Sequence, residues 1–253
     1  MTFSNLLTGK VAFITGAGQG NGRAIACGLA EAGALVVVTD MNESNARQTA
    51  DMITANGHLA RHYGLDVTDP RQCYAVAEAV TASVGPIDVL VNNAGIIIRE
   101  GIDSPNAARN LQQVMKVNHD GTFHVTHAWL PALRRSKGAI VNVASIASFS
   151  GQPNTLGYSA SKGAVKMLTQ SLAVDLAKDG IRVNAVAPGV IETPMTVSTR
   201  SDPAKLERFM ARIPMNRVGR PEELVGAVLF LASSMSTYVT GVTLPVDGGY
   251  LAA

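Results

Sequence analysis

Residues 11–40, VAFITGAGQGNGRAIACGLAEAGALVVVTD, carry the plan of the whole chain. VAFIT (11–15) is a short apolar run and LVVVTD (35–40) is a second, β-branched one; both suit buried strands. Between them, GRAIACGLAEAG (22–33) has apolar residues at helical spacing and a glycine stop. Strand, helix and strand in so short a span make a right-handed crossover between parallel strands. The first junction, TGAGQGNG (15–22), is rich in glycine. Gly16, Gly20 and Gly22 let the backbone turn sharply and approach a ligand, with Gln19 and Asn21 in the same loop. The following helix aims its free amides and positive dipole end at that place, which suits a pyrophosphate. Asp40 ends the second strand, about twenty residues on, where a carboxylate can accept hydrogen bonds from an adenosine ribose. It would repel a 2′-phosphate, and neither Met41 nor Asn42 supplies a compensating cation, so NAD is expected over NADP. Capping the next helix is the other role open to Asp40, and one carboxylate can serve both.

Outward from this unit the alternation continues. Helical patterns at ESNARQTADMITANG (43–57) and PRQCYAVAEAVTASVG (70–85) flank a weaker strand, HLARHYGLDV (58–67). Asp69 and the proline after it open the second of these helices. IDVLVNNAG (87–95) is a strand running into a tight turn, and residues 104–135 read as two helices split near Asn118. GAIVNVAS (138–145), IRVNAVAPG (181–189) and VTLPVDGG (242–249) are further strands. A long helix begins at Tyr158, and PEELVGAVLFLAS (221–233) is a capped one. The class is therefore α/β, a parallel sheet covered on both faces, in a single domain over residues 1–253.

Composition narrows the function. The 253 residues are 47% hydrophobic and 16% charged, enough for a sizeable core. A net charge of +2 without a basic stripe gives no reason to expect nucleic acid or an anionic membrane as partner. Cys27 and Cys73 make no disulfide framework and read as inert thiols. MTFSNLLTGK (1–10) lacks the basic start and long apolar core of a signal peptide, and no apolar run reaches membrane-spanning length. A cytoplasmic protein with a small-molecule partner is expected.

One further pattern points to chemistry. In YSASKGAVKMLTQSLAVDL (158–176), Tyr158 and Lys162 are four apart and share a helical face. Alone, the pair fits any amphipathic helix as well as a catalytic one. In order along the chain, however, TGAGQGNG, NNAG (92–95), NVAS (142–145), YSASK (158–162) and PGVIET (188–193) resemble the motif series of the short-chain dehydrogenase/reductase family. The likeness runs from about Gly9 to Gly249.

The resemblance implies a Rossmann-type sheet of seven strands in the order 3-2-1-4-5-6-7. It implies a catalytic set of Asn118, Ser145, Tyr158 and Lys162, with Tyr158 as general acid/base. Asp66 and Val67 would hold the adenine, and Asn92, Asn93, Ala94 and Gly95 would support the fourth strand and line the cofactor. Pro188 and Gly189 belong to the same cofactor wall, and Ile191 and Thr193 would contact the nicotinamide carboxamide. Lys162 would bind the nicotinamide ribose and, as a cation one turn away, favour the Tyr158 phenolate. Ser145 would hydrogen-bond the substrate oxygen, and Asn118 would hold a water that carries the proton outward. Residues of about 190–215 would form a substrate lid, and the assembly would be a homotetramer.

Other groups invite competing readings. His119, His124 and His127 with Asp120 lack a second ligand pair at recognisable spacing, so no metal is expected. Met195, Phe209, Met210 and Met215 are lid contacts or core filling. Arg200, Arg208 and Arg212 either meet an anionic substrate or form a solvated face. Ser148, Gln152 and Asn154, in the loop before Tyr158, could meet several hydroxyls, which favours a polyol or sugar-type alcohol and its ketone as substrate. The alternatives are a 3-oxoacyl thioester reductase and a non-catalytic NAD-binding scaffold.

Overall fold

The structure, a computed structural model, describes residues 5–253; the first four residues of the N-terminal stretch read above lie outside it. Seven parallel strands form one sheet: β1 (Val11–Ile14), β2 (Leu35–Asp40), β3 (Ala60–Gly64), β4 (Val89–Asn92), β5 (Ala139–Val143), β6 (Arg182–Pro188) and β7 (Thr243–Val246). Their spatial order is 3-2-1-4-5-6-7, as the family resemblance implies. The principal helices are α1 (Gly20–Glu31), α2 (Glu43–Ala55), α3 (Pro70–Val84), α4 (Ala107–Met115), α5 (Gly121–Ser136), α6 (Leu156–Leu176), α7 (Val197–Arg200), α8 (Pro203–Met210) and α9 (Val225–Ala232).

Both faces of the sheet are dry, which is why the strands read as continuous apolar runs rather than alternating ones. Ala12, Ile14, Val36 and Val38 pack on one side against α1, α2 and α9. Phe13, Val37, Leu90 and Ile140 pack on the other against α3, α5 and α6, where Phe13 meets Trp129 at a ring separation of 4.8 Å. Each of the larger side chains among these contributes about 1.5–3 kcal/mol by leaving water.

Local chemistry sets the helix ends. Asn42 caps α2 by accepting from the Ser44 and Asn45 amides, so the cap is Asn42 and not Asp40. Asp69 caps α3, with Pro70 at its first position as the sequence predicts. α1 begins at Gly20, two residues ahead of expectation, because the glycine loop already turns helically there. α6 begins at Leu156, so Tyr158 is its third residue. The PEEL turn (Pro221–Leu224) is a tighter 3₁₀ turn, held by Glu223 accepting from the Arg220 amide at 2.7 Å, and α9 follows it. The expected split near Asn118 is real but is not a break. α4 and α5 run continuously through a π-helical turn, Lys116–Asp120, which inserts one extra residue and buries Asn118 completely.

Candidate active site

The carboxyl ends of β1, β2, β4, β5 and β6 open on one side of the sheet, around the point where the strand order reverses between β1 and β4. Open parallel sheets form their ligand crevice at that point. A cleft of about 370 Å³ lies there. The glycine loop makes its floor. Thr15, buried after β1, accepts from the amides of Asn93 and Ala94 at 3.0 Å, while Asn93 Nδ2 donates to the Thr15 and Gly16 carbonyls at 2.9 Å. These four bonds fasten the loop to the end of β4. Gly16 has φ of +59°, and a Cβ there would stand 2.8 Å from the Ala94 Cα. At Gly22 an added Cβ would strike the Gly16 carbonyl and the Asn93 amide.

The same loop fits a pyrophosphate. Gln19 at the helix N-cap makes no side-chain cap bond, which leaves first-turn amides of α1 to be satisfied from the cleft. The Asn21 Oδ1 is buried without a hydrogen-bond partner in the protein. At the far end, Asp40 Oδ2 accepts from the Gly18 amide and Oδ1 from the Asn42 amide, both at 3.0 Å. One lone pair on each oxygen remains for a ribose hydroxyl. The Arg23 guanidinium, which bonds to the same loop, is spent on the Gly18 carbonyl, Thr49 and Gln48. Among the described residues, Lys162 is the only lysine or arginine lining the cleft.

At the opposite end the cleft joins a smaller pocket of about 70 Å³. Tyr158 lines both, Lys162 the first and Ser145 the second. Lys162 is buried, and its Nζ donates to the Val143 carbonyl at 2.7 Å and stands 5.9 Å from the Tyr158 ring centre. Burial lowers its ammonium to about 8. Burial also pushes the Tyr158 phenol above its usual range, while the Ser145 hydroxyl and the Arg99 guanidinium pull it part-way back. No hydrogen bond of normal length joins the Ser145 and Tyr158 hydroxyls, and Ser145 Oγ accepts instead from the Ala147 amide at 3.1 Å. Catalytic hydrogen bonds are commonly long until substrate arrives.

A base, a hydroxyl donor and a buried amine thus meet beside a dinucleotide-shaped crevice. Residues 16–251 match the family model described as enoyl-(acyl carrier protein) reductase, a model within the short-chain dehydrogenases. The chain belongs to the short-chain dehydrogenase/reductase family. This dehydrogenase/reductase is 42% identical over 245 residues to 3-oxoacyl-[acyl-carrier-protein] reductase FabG of Thermotoga maritima, covering 96% of this chain and 98% of that one. It is 39% identical over 249 residues to 5-keto-D-gluconate 5-reductase of Escherichia coli K12, covering 98% and 97%. A gluconate 5-dehydrogenase from Burkholderia cenocepacia J2315, solved in complex with NADP and tartrate, superposes with a TM-score of 0.94 at 40% identity over the whole of both chains. The protein is an oxidoreductase that acts on CH–OH groups and is built for a nicotinamide dinucleotide.

The cleft of this oxidoreductase gathers residues the sequence left scattered. Gly16, Gln19, Gly20, Asn21, Gly22, Asp40, Asp66, Val67, Asn93, Ala94, Gly95, Tyr158, Lys162, Pro188, Gly189, Ile191 and Thr193 all line it. The Lys162 ammonium is turned to Val143 and weakened by burial, and the groups that draw the raised Tyr158 phenol part-way back are Ser145 and Arg99. The Asn118 side chain lines neither cavity. Its Oδ1 accepts from the Ile96 amide at 2.8 Å and its Nδ2 donates to the Ile96 carbonyl and Ser161 Oγ. Asn118 thereby ties the loop segment after β4 to α6.

The competing groups also resolve. His119 bonds Asp120, His124 faces the Val67 carbonyl and His127 bonds Tyr74, each with its own partner. Among the described residues no cluster of three or more His, Cys, Asp or Glu is placed to hold a metal. Met195 lines both cavities and Phe209 the smaller one, whereas Met215 is exposed. Arg200 pairs with Glu192 at 3.1 Å, Arg212 lies over the Tyr250 ring and donates to its hydroxyl, and Arg208 is exposed; none lines either cavity. Ser148 is spent on the Lys162 carbonyl and Asn154 is an exposed turn residue at φ of +58°, leaving Gln152 as the one loop amide at the pocket. Sequence reasoning missed Arg99. The only signal was its place as the single basic residue shortly after NNAG.

Proposed function

We propose that this enzyme interconverts a secondary alcohol of polyol or sugar type and its ketone, with NAD as cofactor and Tyr158 as general acid/base. The observation that carries this reading is the position of Tyr158, shared between the dinucleotide cleft and the pocket holding Ser145. The bound nicotinamide supplies the hydride acceptor for oxidation and the donor for reduction. In oxidation the carbinol carbon gives up its hydride, and the substrate O–H proton passes to the Tyr158 phenolate. In reduction Tyr158 returns the proton to the oxygen of the ketone. Ser145 donates a hydrogen bond to that oxygen, whose charge changes most along the path. Lys162 holds the nicotinamide ribose hydroxyls, and the glycine loop with Gln19 and Asn21 holds the pyrophosphate.

Asp40 supports NAD. Its carboxylate would repel a 2′-phosphate, and the cleft wall offers no guanidinium to offset that. The small pocket supports a short polar substrate, as do the sugar-acid names of two relatives. The 42% identity to a 3-oxoacyl-[acyl-carrier-protein] reductase favours a second reading, reduction of an acyl thioester. A panel of polyols, sugar acids and 3-oxoacyl thioesters, each run with NAD(H) and NADP(H), separates them. The first reading expects higher kcat/KM for polyols or sugar acids with NAD. Fastest turnover on the thioester with NADPH would replace it.

We further propose a homotetramer in the cytoplasm. Leu111 on α4, Phe123 on α5, and Met167 and Val174 on α6 leave apolar surface exposed on the helices expected to pack between subunits. Among the described residues no helix is long and apolar enough to cross a membrane.

A further inference from the structure

We propose that Arg99 binds a carboxylate on the substrate, so that the favoured alcohol is a hydroxy acid of aldonate type rather than a neutral polyol. The inference rests on the secondary-alcohol reading above and narrows it.

The pocket beyond Tyr158 contains one charged residue, Arg99, beside Ser145, Gln152, Thr199 and Phe209, and no carboxylate lines it. The guanidinium donates Nη2 to Thr199 Oγ1 at 3.0 Å. Among the described residues no aspartate or glutamate lies within ion-pair distance of it. The neighbouring arginines differ: Arg200 has Glu192, and Arg212 has the ring and hydroxyl of Tyr250. A guanidinium offers five N–H donors in a planar fork that matches a carboxylate. With one of them given to a threonine, the rest of the fork is left for a ligand.

Size points the same way. A cavity of about 70 Å³ has room for roughly five to seven water-sized groups. That suits the hydroxylated end of a short chain. Charge adds a consequence for the reaction. Arg99 helps draw the phenol toward ionisation, and a carboxylate on Arg99 would cancel that pull. An acid substrate would therefore keep Tyr158 protonated to higher pH, the form that gives a proton to a ketone.

The test compares substrates that differ only in the charged end. D-gluconate against D-glucitol, and tartrate against threitol, are assayed with NAD for wild type, Arg99→Gln and Arg99→Lys. The wild type should favour the acid of a pair by about tenfold or more in kcat/KM. Arg99→Gln should erase that preference and Arg99→Lys should restore part of it, since lysine keeps the charge without the fork. Equal losses on acid and alditol in Arg99→Gln would assign Arg99 a merely structural role through Thr199, and overturn the proposal. So would a wild-type preference for the alditol. In either case turnover of the alditol leaves the secondary-alcohol reading standing. Turnover of thioesters alone would defeat that reading and this one together. A second readout needs no variant: tartrate, but not threitol, should raise the Tm of the wild-type complex with NADH, and equal shifts would count against the carboxylate site.

Discussion

Tyr158 and Lys162 are buried side chains whose ionised forms are both disfavoured by the protein around them. Lys162 shows the cost. Its ammonium titrates near 8 in the folded chain against an ordinary value of 10.5, so the unfolded chain binds more protons between those values. Stability should then rise with pH across that window, and below 8 the full penalty applies. Lys162→Met should accordingly have a higher Tm than wild type at pH 7 without cofactor, with the gap closing from pH 8 to 10.5. Thermal melts over that range check this; a variant less stable at every pH would refute it. The gain should come with weaker NAD binding, a trade of stability for function. At this scale the sequence showed the YxxxK spacing and the serine before it. It could not show that Lys162 turns to Val143, nor that Arg99 lines the same pocket as the phenol, because both depend on how distant segments come together.

The glycine loop and the π-helical turn are the elements that place these side chains. Their legibility differs for a physical reason. A tight turn with backbone close to a ligand demands glycine, so Gly16 and Gly22 were readable from residue type alone. A π-helical turn has no residue signature, and the residues around Asn118 hint only at a break where the helix in fact continues. The β2 end is an element with a sharp prediction. Asp40→Asn keeps a hydrogen-bond acceptor but removes the charge, so the loss of loop anchoring should affect both cofactors alike. The ratio of kcat/KM for NADP over NAD should rise by about tenfold or more, as charge-assisted hydrogen bonds contribute about 1.5–3 kcal/mol. An unchanged ratio in steady-state assays would remove Asp40 from cofactor choice. Gly22→Val tests the loop itself. The added side chain meets the Gly16 carbonyl and Asn93, so NADH fluorescence titration should show binding lost by 100-fold or more, about 2.7 kcal/mol.

Across the whole molecule, the alternation of short apolar runs with amphipathic helices was enough to specify an α/β fold with a parallel sheet covered on both faces; that the sheet is doubly wound came with the family resemblance. The strand order came from the resemblance and agrees with the structure. What the periodicity hid was the surface. Phe123, Met167 and Val174 are 44%, 57% and 79% exposed, and on an isolated chain they would sit in water. Light scattering should give four times the chain mass for the wild type, and Val174→Lys should shift it to smaller species. A monomer at micromolar concentration would contradict the assembly. The account as a whole depends on one proton acceptor. Tyr158→Phe removes a single hydroxyl from a site that keeps its shape, and the measurement is its kcat for alcohol oxidation alongside its Kd for NADH. The expected result is a fall in kcat of at least about 100-fold with the Kd within a few-fold of wild type; turnover close to wild type would contradict the assignment of Tyr158 as the acid/base.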